Sequence, residues 1–92
     1  MSPRLILNPA SGPAGSSVTV EGYGFGAPEA VEIYWNNPRT LLGSALTDQH
    51  GTFSGTAALT FTVPAGAPAG KDAVFGQDNL TKAIGFGAFT VQ

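Results

Sequence analysis

His50 is the chain's one histidine, and Asp48 stands two residues before it. A histidine beside a carboxylate is half of a general-base arrangement, but a triad also needs a nucleophile converging on the ring. Asp48-Gln49-His50-Gly51 has the composition of a tight turn, opened by Asp and closed by Gly. It therefore reads as an exposed turn carrying a solvated histidine. The six carboxylates, Glu21, Glu29, Glu32, Asp48, Asp72 and Asp78, are scattered. They match no calcium-loop spacing, and the sequence has no cysteine, so no clustered ligand set for a metal is expected. Catalytic, metal-binding and cofactor-binding residues are all read as none.

Two glycine-rich stretches have the look of phosphate loops and fail on spacing. Gly66-Ala67-Pro68-Ala69-Gly70-Lys71-Asp72 is one residue short between its glycines and puts Asp72 where a Mg²⁺ ligand must be Ser or Thr. No helical pattern follows to offer its N-terminus. Gly22-Tyr23-Gly24-Phe25-Gly26 lacks the G-x-G-x-x-G spacing of a dinucleotide loop. Asn79-Leu80-Thr81 matches a glycosylation sequon, a tripeptide that chance often produces; it marks an exposed turn after Asp78.

The aromatic residues carry more information. Trp35 alternates with Val31 and Ile33, which places it in a core, while its other reading is a stacking platform for sugar. If that face points inward, Glu32, Tyr34 and Asn36 point outward. The same alternation in the next strands sends Phe75 and Gln77 outward, with Ile84, Phe86 and Ala88. Neighbouring strands would then unite Tyr34, Phe75, Ile84 and Phe86 in an apolar patch rimmed by Asn36 and Gln77. A contiguous patch with a polar rim marks a contact surface. A bulge at Gly85 or Gly87 would instead turn Ile84 or Phe86 into the core.

These residues need strands to hold them, and the composition supplies strands and turns. The chain has 92 residues, 42% hydrophobic, with 13 Gly and 7 Pro. Its length suits one domain over residues 1–92, burying somewhat over ~60% of its extended surface. Only 11% of residues are charged and the net charge is −2. Arg4, Arg39, Lys71 and Lys82 are too dispersed to neutralise phosphates, so nucleic acid is not an expected partner. Apolar runs are only a few residues long, so neither a signal peptide nor membrane insertion is expected.

Strand-like runs cover residues 4–7, 16–22, 30–36, 40–47, 52–63, 71–77 and 81–91. They are separated by Asn8-Pro9, by the 22–28 bend, by Asn37-Pro38-Arg39, by the Asp48 turn, by a rigid 64–70 loop and by Asp78-Asn79. The long 52–63 run is expected to bend or bulge. No stretch keeps a helical period. About seven strands with turns every ~8–12 residues predict an all-β, Greek-key, immunoglobulin-like β-sandwich whose first and last strands end at opposite poles. Leu5, Leu7, Val18, Val20, Phe25, Val31, Ile33, Trp35, Phe53, Leu59, Val74, Phe89 and Val91 form the expected core.

Pro9, Ser11-Gly12-Pro13, Gly15-Ser16, Val18-Thr19-Val20, Gly22, Gly24 and Phe25 match, position by position, the opening of the IPT/TIG family of immunoglobulin-like domains, which the chain resembles. Asp48, Gly51-Thr52-Phe53-Ser54, Pro64 and Gly70 are similar to a pattern of bacterial immunoglobulin-like modules. The opening is more distantly similar to neocarzinostatin-type sandwiches, which usually carry disulfides. The resemblance implies a non-catalytic structural or protein-interaction module of an extracellular or cell-surface protein, secreted and bacterial. It also implies that the partners are neighbouring domains of a larger parent or a second copy. A carbohydrate- or small-molecule-binding accessory module is the alternative. The family's DNA-binding members carry basic loops that this chain lacks.

Overall fold

The computed structural model describes residues 3–26, 28–36 and 39–92. Eight strands follow in order: β1 (Arg4–Asn8), β2 (Ser11–Gly12), β3 (Ser17–Tyr23), β4 (Ala30–Asn36), β5 (Arg39–Leu46), β6 (Leu59–Thr62), β7 (Gly70–Asp78) and β8 (Ile84–Val91). They are ordered β5-β4-β7-β8-β1-β3-β6, with β2 added beside β8. Two layers result, β5-β4-β7-β8 with β2 on one side and β1-β3-β6 on the other, joined among the described residues by the parallel pair of Arg4 with Phe86. The turns after β3, β5 and β6 carry the chain from one layer to the other, as in the immunoglobulin fold. Because β1 runs parallel to β8, the first strand starts at the end of the sandwich opposite the end of the last.

Alternation within the strands builds the core. Leu5 and Leu7 of β1, Val18 and Val20 of β3, and Val31, Ile33 and Trp35 of β4 are buried, while the residues between them are not. Trp35 is 0% exposed and meets Phe89 and Phe61 edge-on, with centroids 5.8 and 6.3 Å away. This excludes Trp35 as a sugar platform. Phe25, Phe53, Val74, Phe89 and Val91 are also buried, as the alternation predicts. Leu59 is only half-buried because β6 is an edge strand; its side chain covers Gly43 of β5 across the gap between the layers. The core also takes in Phe61 and Val63, which share Leu59's period-2 phase, and Ala45.

Three departures from the expected strands have local causes. The 52–63 run is not one bent strand. Phe53 makes an isolated bridge to Gly22, a 3-10 turn occupies Gly55–Ala57, and β6 starts only at Leu59. Ser11-Gly12, expected in a turn, forms the short β2, where Thr90 and Gln92 donate backbone hydrogen bonds to Ala10 and Gly12. The last strand begins at Ile84, because Asn79–Lys82 completes a turn in which the Lys82 N–H bonds the Asp78 carbonyl. The expected Asn37-Pro38 turn lies outside the described residues, and Arg39 already belongs to β5. Among the described residues, no helix is long and apolar enough to cross a membrane.

Replacing Trp35 by Ala empties the middle of the core. The expected cost is ~3–5 kcal/mol, a fall in melting temperature of more than ~10 °C for a chain of this size. Thermal unfolding followed by circular dichroism measures it, and an unchanged transition would refute this packing.

Candidate functional site

The outer surface of β4, β7 and β8 holds the face built by the alternation. Tyr34 pairs with Phe75, and Phe75 with Phe86, so three rings stand side by side across three strands. Tyr34 and Phe75 stack at 5.0 Å, and Phe75 meets Phe86 at 6.0 Å. Leu41 of β5, paired with Tyr34, continues the row. One row along the strands lie Glu32, Gln77 and Ile84, paired in that order, and on the opposite side lie Asn36 and its partner Arg39. β7 and β8 pair from Gly70 to Gln77 without a register shift. No bulge therefore turns Ile84 or Phe86 inward, and they are 44% and 61% exposed.

Phe75 behaves differently from the others. It points outward yet is only 8% exposed, because Tyr34 and Phe86 flank it and the Arg39 guanidinium lies over it. That guanidinium is 4.9 Å from the centre of the Tyr34 ring and 5.3 Å from that of Phe75. Such a cation on an aromatic face is attracted by the ring quadrupole. Asn36, Arg39, Phe75, Gln77, Ile84 and Phe86 line an open concavity of about 360 Å³. The six residues expected on this face, Tyr34, Asn36, Phe75, Gln77, Ile84 and Phe86, thus lie together. Arg39 and Leu41 were not expected there. The Leu41-Leu42 doublet hides β5's phase, because a register shift opposite Ile33 and Tyr34 breaks the alternation.

A second polar cluster sits at the end of the sandwich where β4 begins and β7 ends. Asp78 is 0% exposed. Its Oδ1 accepts hydrogen bonds from the Leu80 and Thr81 N–H groups at 2.8 and 3.0 Å, and its Oδ2 accepts one from Gly26 N–H at 3.2 Å. Glu29 lies beside it, with Oε1 buried and without a donor. Bonding to Asp78, then burial, then the Asp78 charge push the Glu29 carboxyl above the usual carboxylate range. Burial pushes Asp78 up, but bonds from Glu29, Thr81, Leu80 and Gly26 outweigh it and hold Asp78 below that range. The two shifts are opposed and coupled: the protonated form of Glu29 is favoured beside the Asp78 carboxylate. Thr47 closes the cluster. Its buried hydroxyl accepts from Glu29 N–H at 2.7 Å and donates to the Gly26 carbonyl at 2.8 Å. Sequence reasoning assigned Asp78 to turn chemistry, which its bonds to Leu80 and Thr81 perform, and missed its coupling to Glu29.

Among the described residues no three histidine, cysteine or carboxylate side chains gather as a metal site. His50 is exposed, and Asp48 engages its backbone N–H at 2.7 Å and that of Thr52 at 3.2 Å. The bond to His50, opposed by burial and aided by Thr52, keeps Asp48 below its ordinary range. The carboxylate shapes the turn and does not orient the ring. Asn79, Leu80 and Thr81 are exposed on the turn that follows β7.

Compared with known proteins, residues 6–92 match the family model described as IPT/TIG domain. No curated protein matches the chain.

The opposed shifts set a pH dependence of two signs. Asp78, lowered in the folded state, contributes stability above the unfolded carboxylate range that is lost as pH falls through its folded value. Glu29, raised, contributes stability that is complete below the unfolded range and is lost as pH rises through its folded value. Glu29→Gln supplies a donor that does not titrate, so it is expected to melt higher than the parent chain at pH 7. Asp78→Ala orphans three N–H groups and is expected to cost on the order of 3 kcal/mol. Melting curves across pH 4–8 check both (about that span covers the relevant carboxyls); a Glu29→Gln curve below the parent's at pH 7 would refute this coupling of the two carboxyls.

Proposed function

Since the chain belongs to the IPT/TIG domain family, we propose that it is a non-catalytic structural and protein-interaction module whose outer β4-β7-β8 face docks a neighbouring domain of a larger parent or a second copy. IPT/TIG domains are immunoglobulin-like modules of structure and protein interaction, and the family is non-catalytic. The observation that carries the reading is the row Leu41-Tyr34-Phe75-Phe86, contiguous across four strands and ending on a ring that is 61% exposed. Rings of this kind give large contact area at low entropic cost, and Tyr, Phe and Arg are enriched at interface centres. Residues 1–92 form one such module. Its opposite entry and exit ends suit a bead in a string of domains, in an extracellular or cell-surface bacterial protein.

Carbohydrate binding is the second reading, and it now rests on the Phe86 face rather than on Trp35. The exposed ring and the flanking Asn36 and Gln77 amides are the observation that favours it. A glycan array with the parent chain and Phe86→Ser separates the readings: specific glycan hits lost in the variant would put carbohydrate first.

Docking is tested by placing a photo-reactive phenylalanine analogue at position 86 in the full-length protein. Covalent links to a protein segment, of its own kind or another, are expected. A face that links to no protein would overturn the reading. Phe86→Ser removes an exposed side chain, so its melting temperature is expected within about 3 °C of the parent's, whereas Phe75, covered on both sides, is unsuited to that test.

A further inference from the structure

We infer that the occupant of this face is a second copy of the chain, packed ring row on ring row in a twofold dimer with Arg39 of each copy against Glu32 of the other. The inference rests on the docking reading and names its partner.

Charge placement carries it. Glu32 and Arg39 flank the ring row on opposite sides along the strands, since β4 presents Glu32, Tyr34 and Asn36 in turn and Arg39 pairs with Asn36. Arg39 leans from β5 over Tyr34 of β4 and Phe75 of β7, which brings its charge into the columns occupied by Glu32 and Gln77. A twofold axis lying along the ring row exchanges the two flanks and leaves the columns in place. The exposed ends of the row, Leu41 and Phe86, then meet their counterparts, and each guanidinium arrives over the Glu32 carboxylate of the second copy. Both ion pairs form at once, as an isologous interface requires.

Among the described residues of one copy, neither charge has an ion pair. Arg39 has the two ring faces as its partners, and Glu32 accepts one long hydrogen bond, 3.4 Å, from the Tyr34 hydroxyl. The guanidinium edge can therefore take a carboxylate in a forked pair without giving up its stacking. Ile84, Phe86 and Leu41, all partly exposed, supply the apolar contact at the ends of the rows. Sheets packed face to face align their strands within about 30°, which keeps this correspondence over a few strands.

Sedimentation equilibrium of the chain over rising concentration tests it. A concentration-dependent dimer is expected, lost in Phe86→Ser. Arg39→Glu alone and Glu32→Arg alone place like charges against each other and are each expected to weaken the dimer by at least about tenfold. An equimolar mixture of the two single variants restores both opposite-charge pairs as a heterodimer, and the double variant Glu32→Arg/Arg39→Glu restores them in a homodimer. Melting temperatures confirm that each variant is folded. A chain that stays monomeric, or single variants whose mixture regains nothing, would overturn the second copy as occupant. Cross-links from position 86 to a different protein segment would then leave docking standing, whereas their complete absence removes both.

Discussion

Two backbone hydrogen bonds between Gly22 and Phe53, each donating N–H to the other's carbonyl at 2.9 Å, hold the two halves of the chain's signature together. They require Gly22 to have no side chain, because a Cβ there would collide with the Phe53 ring. The ring is fully buried and tilts against Phe25 at 6.0 Å. Next to them, Phe25 N–H bonds the Gly51 carbonyl at 3.1 Å, and Gly51 takes φ +74°, where a Cβ would strike the Phe25 backbone. The end of β3 is thereby tied to the turn after β5. This tie closes the end of the sandwich between its layers and delivers the chain to β6 in register with β3, Val20 opposite Leu59 and Val18 opposite Phe61.

Once that register is set, the outer face has little freedom. Val31, Ile33 and Trp35 fill the core, and a one-residue slip of β4 would exchange them for Glu32, Tyr34 and Asn36. Burial of the inner row therefore fixes the outer one. β7 follows by pairing Trp35 with Val74 and Tyr34 with Phe75, and β8 by pairing Phe75 with Phe86. Small residues make the inner side of that hairpin possible. Gly76 and Gly87 sit over Val31, Ile33, Leu5 and Leu7, where larger side chains would collide with the core. The ring row is thus the outer consequence of how tightly the opposite side of the same sheet is filled.

What the sequence disclosed follows from the range of each signal. Alternation is local, so the faces of β3 and β4, the buried Trp35 and the outward Tyr34 were legible directly. Ile84 and Phe86 required a choice between a flat strand and a bulge, and only the continuous pairing of β7 with β8 decides it. Arg39 and Leu41 escaped because β5 changes phase where Gly43 faces Ile33 and Leu41 faces Tyr34, leaving Leu42 between them. β2 escaped because Ser11-Gly12 has turn composition and becomes a strand only where the β8 edge lies beside it. Glu29 and Asp78 are 49 residues apart by their numbers, so their coupling belongs to tertiary structure alone.

The chain's two polar clusters differ in where their hydrogen-bonding capacity goes. At the β7 end, Asp78 spends both oxygens on backbone N–H groups, Glu29 turns to Asp78, and Thr47 uses its hydroxyl as donor and acceptor. A network turned inward in this way stabilises a loop junction rather than facing a partner. The outer face is organised in the opposite sense. Its rings stand side by side on the sheet, and its guanidinium lies over two of them and lines the open concavity beside them. Side chains already ordered in the free protein lose little entropy on association. Rigid apolar area beside oriented, uncommitted charge is what a specific contact needs, and on this chain that combination occurs on the sheet face, while the buried carboxyl pair serves the fold that supports it.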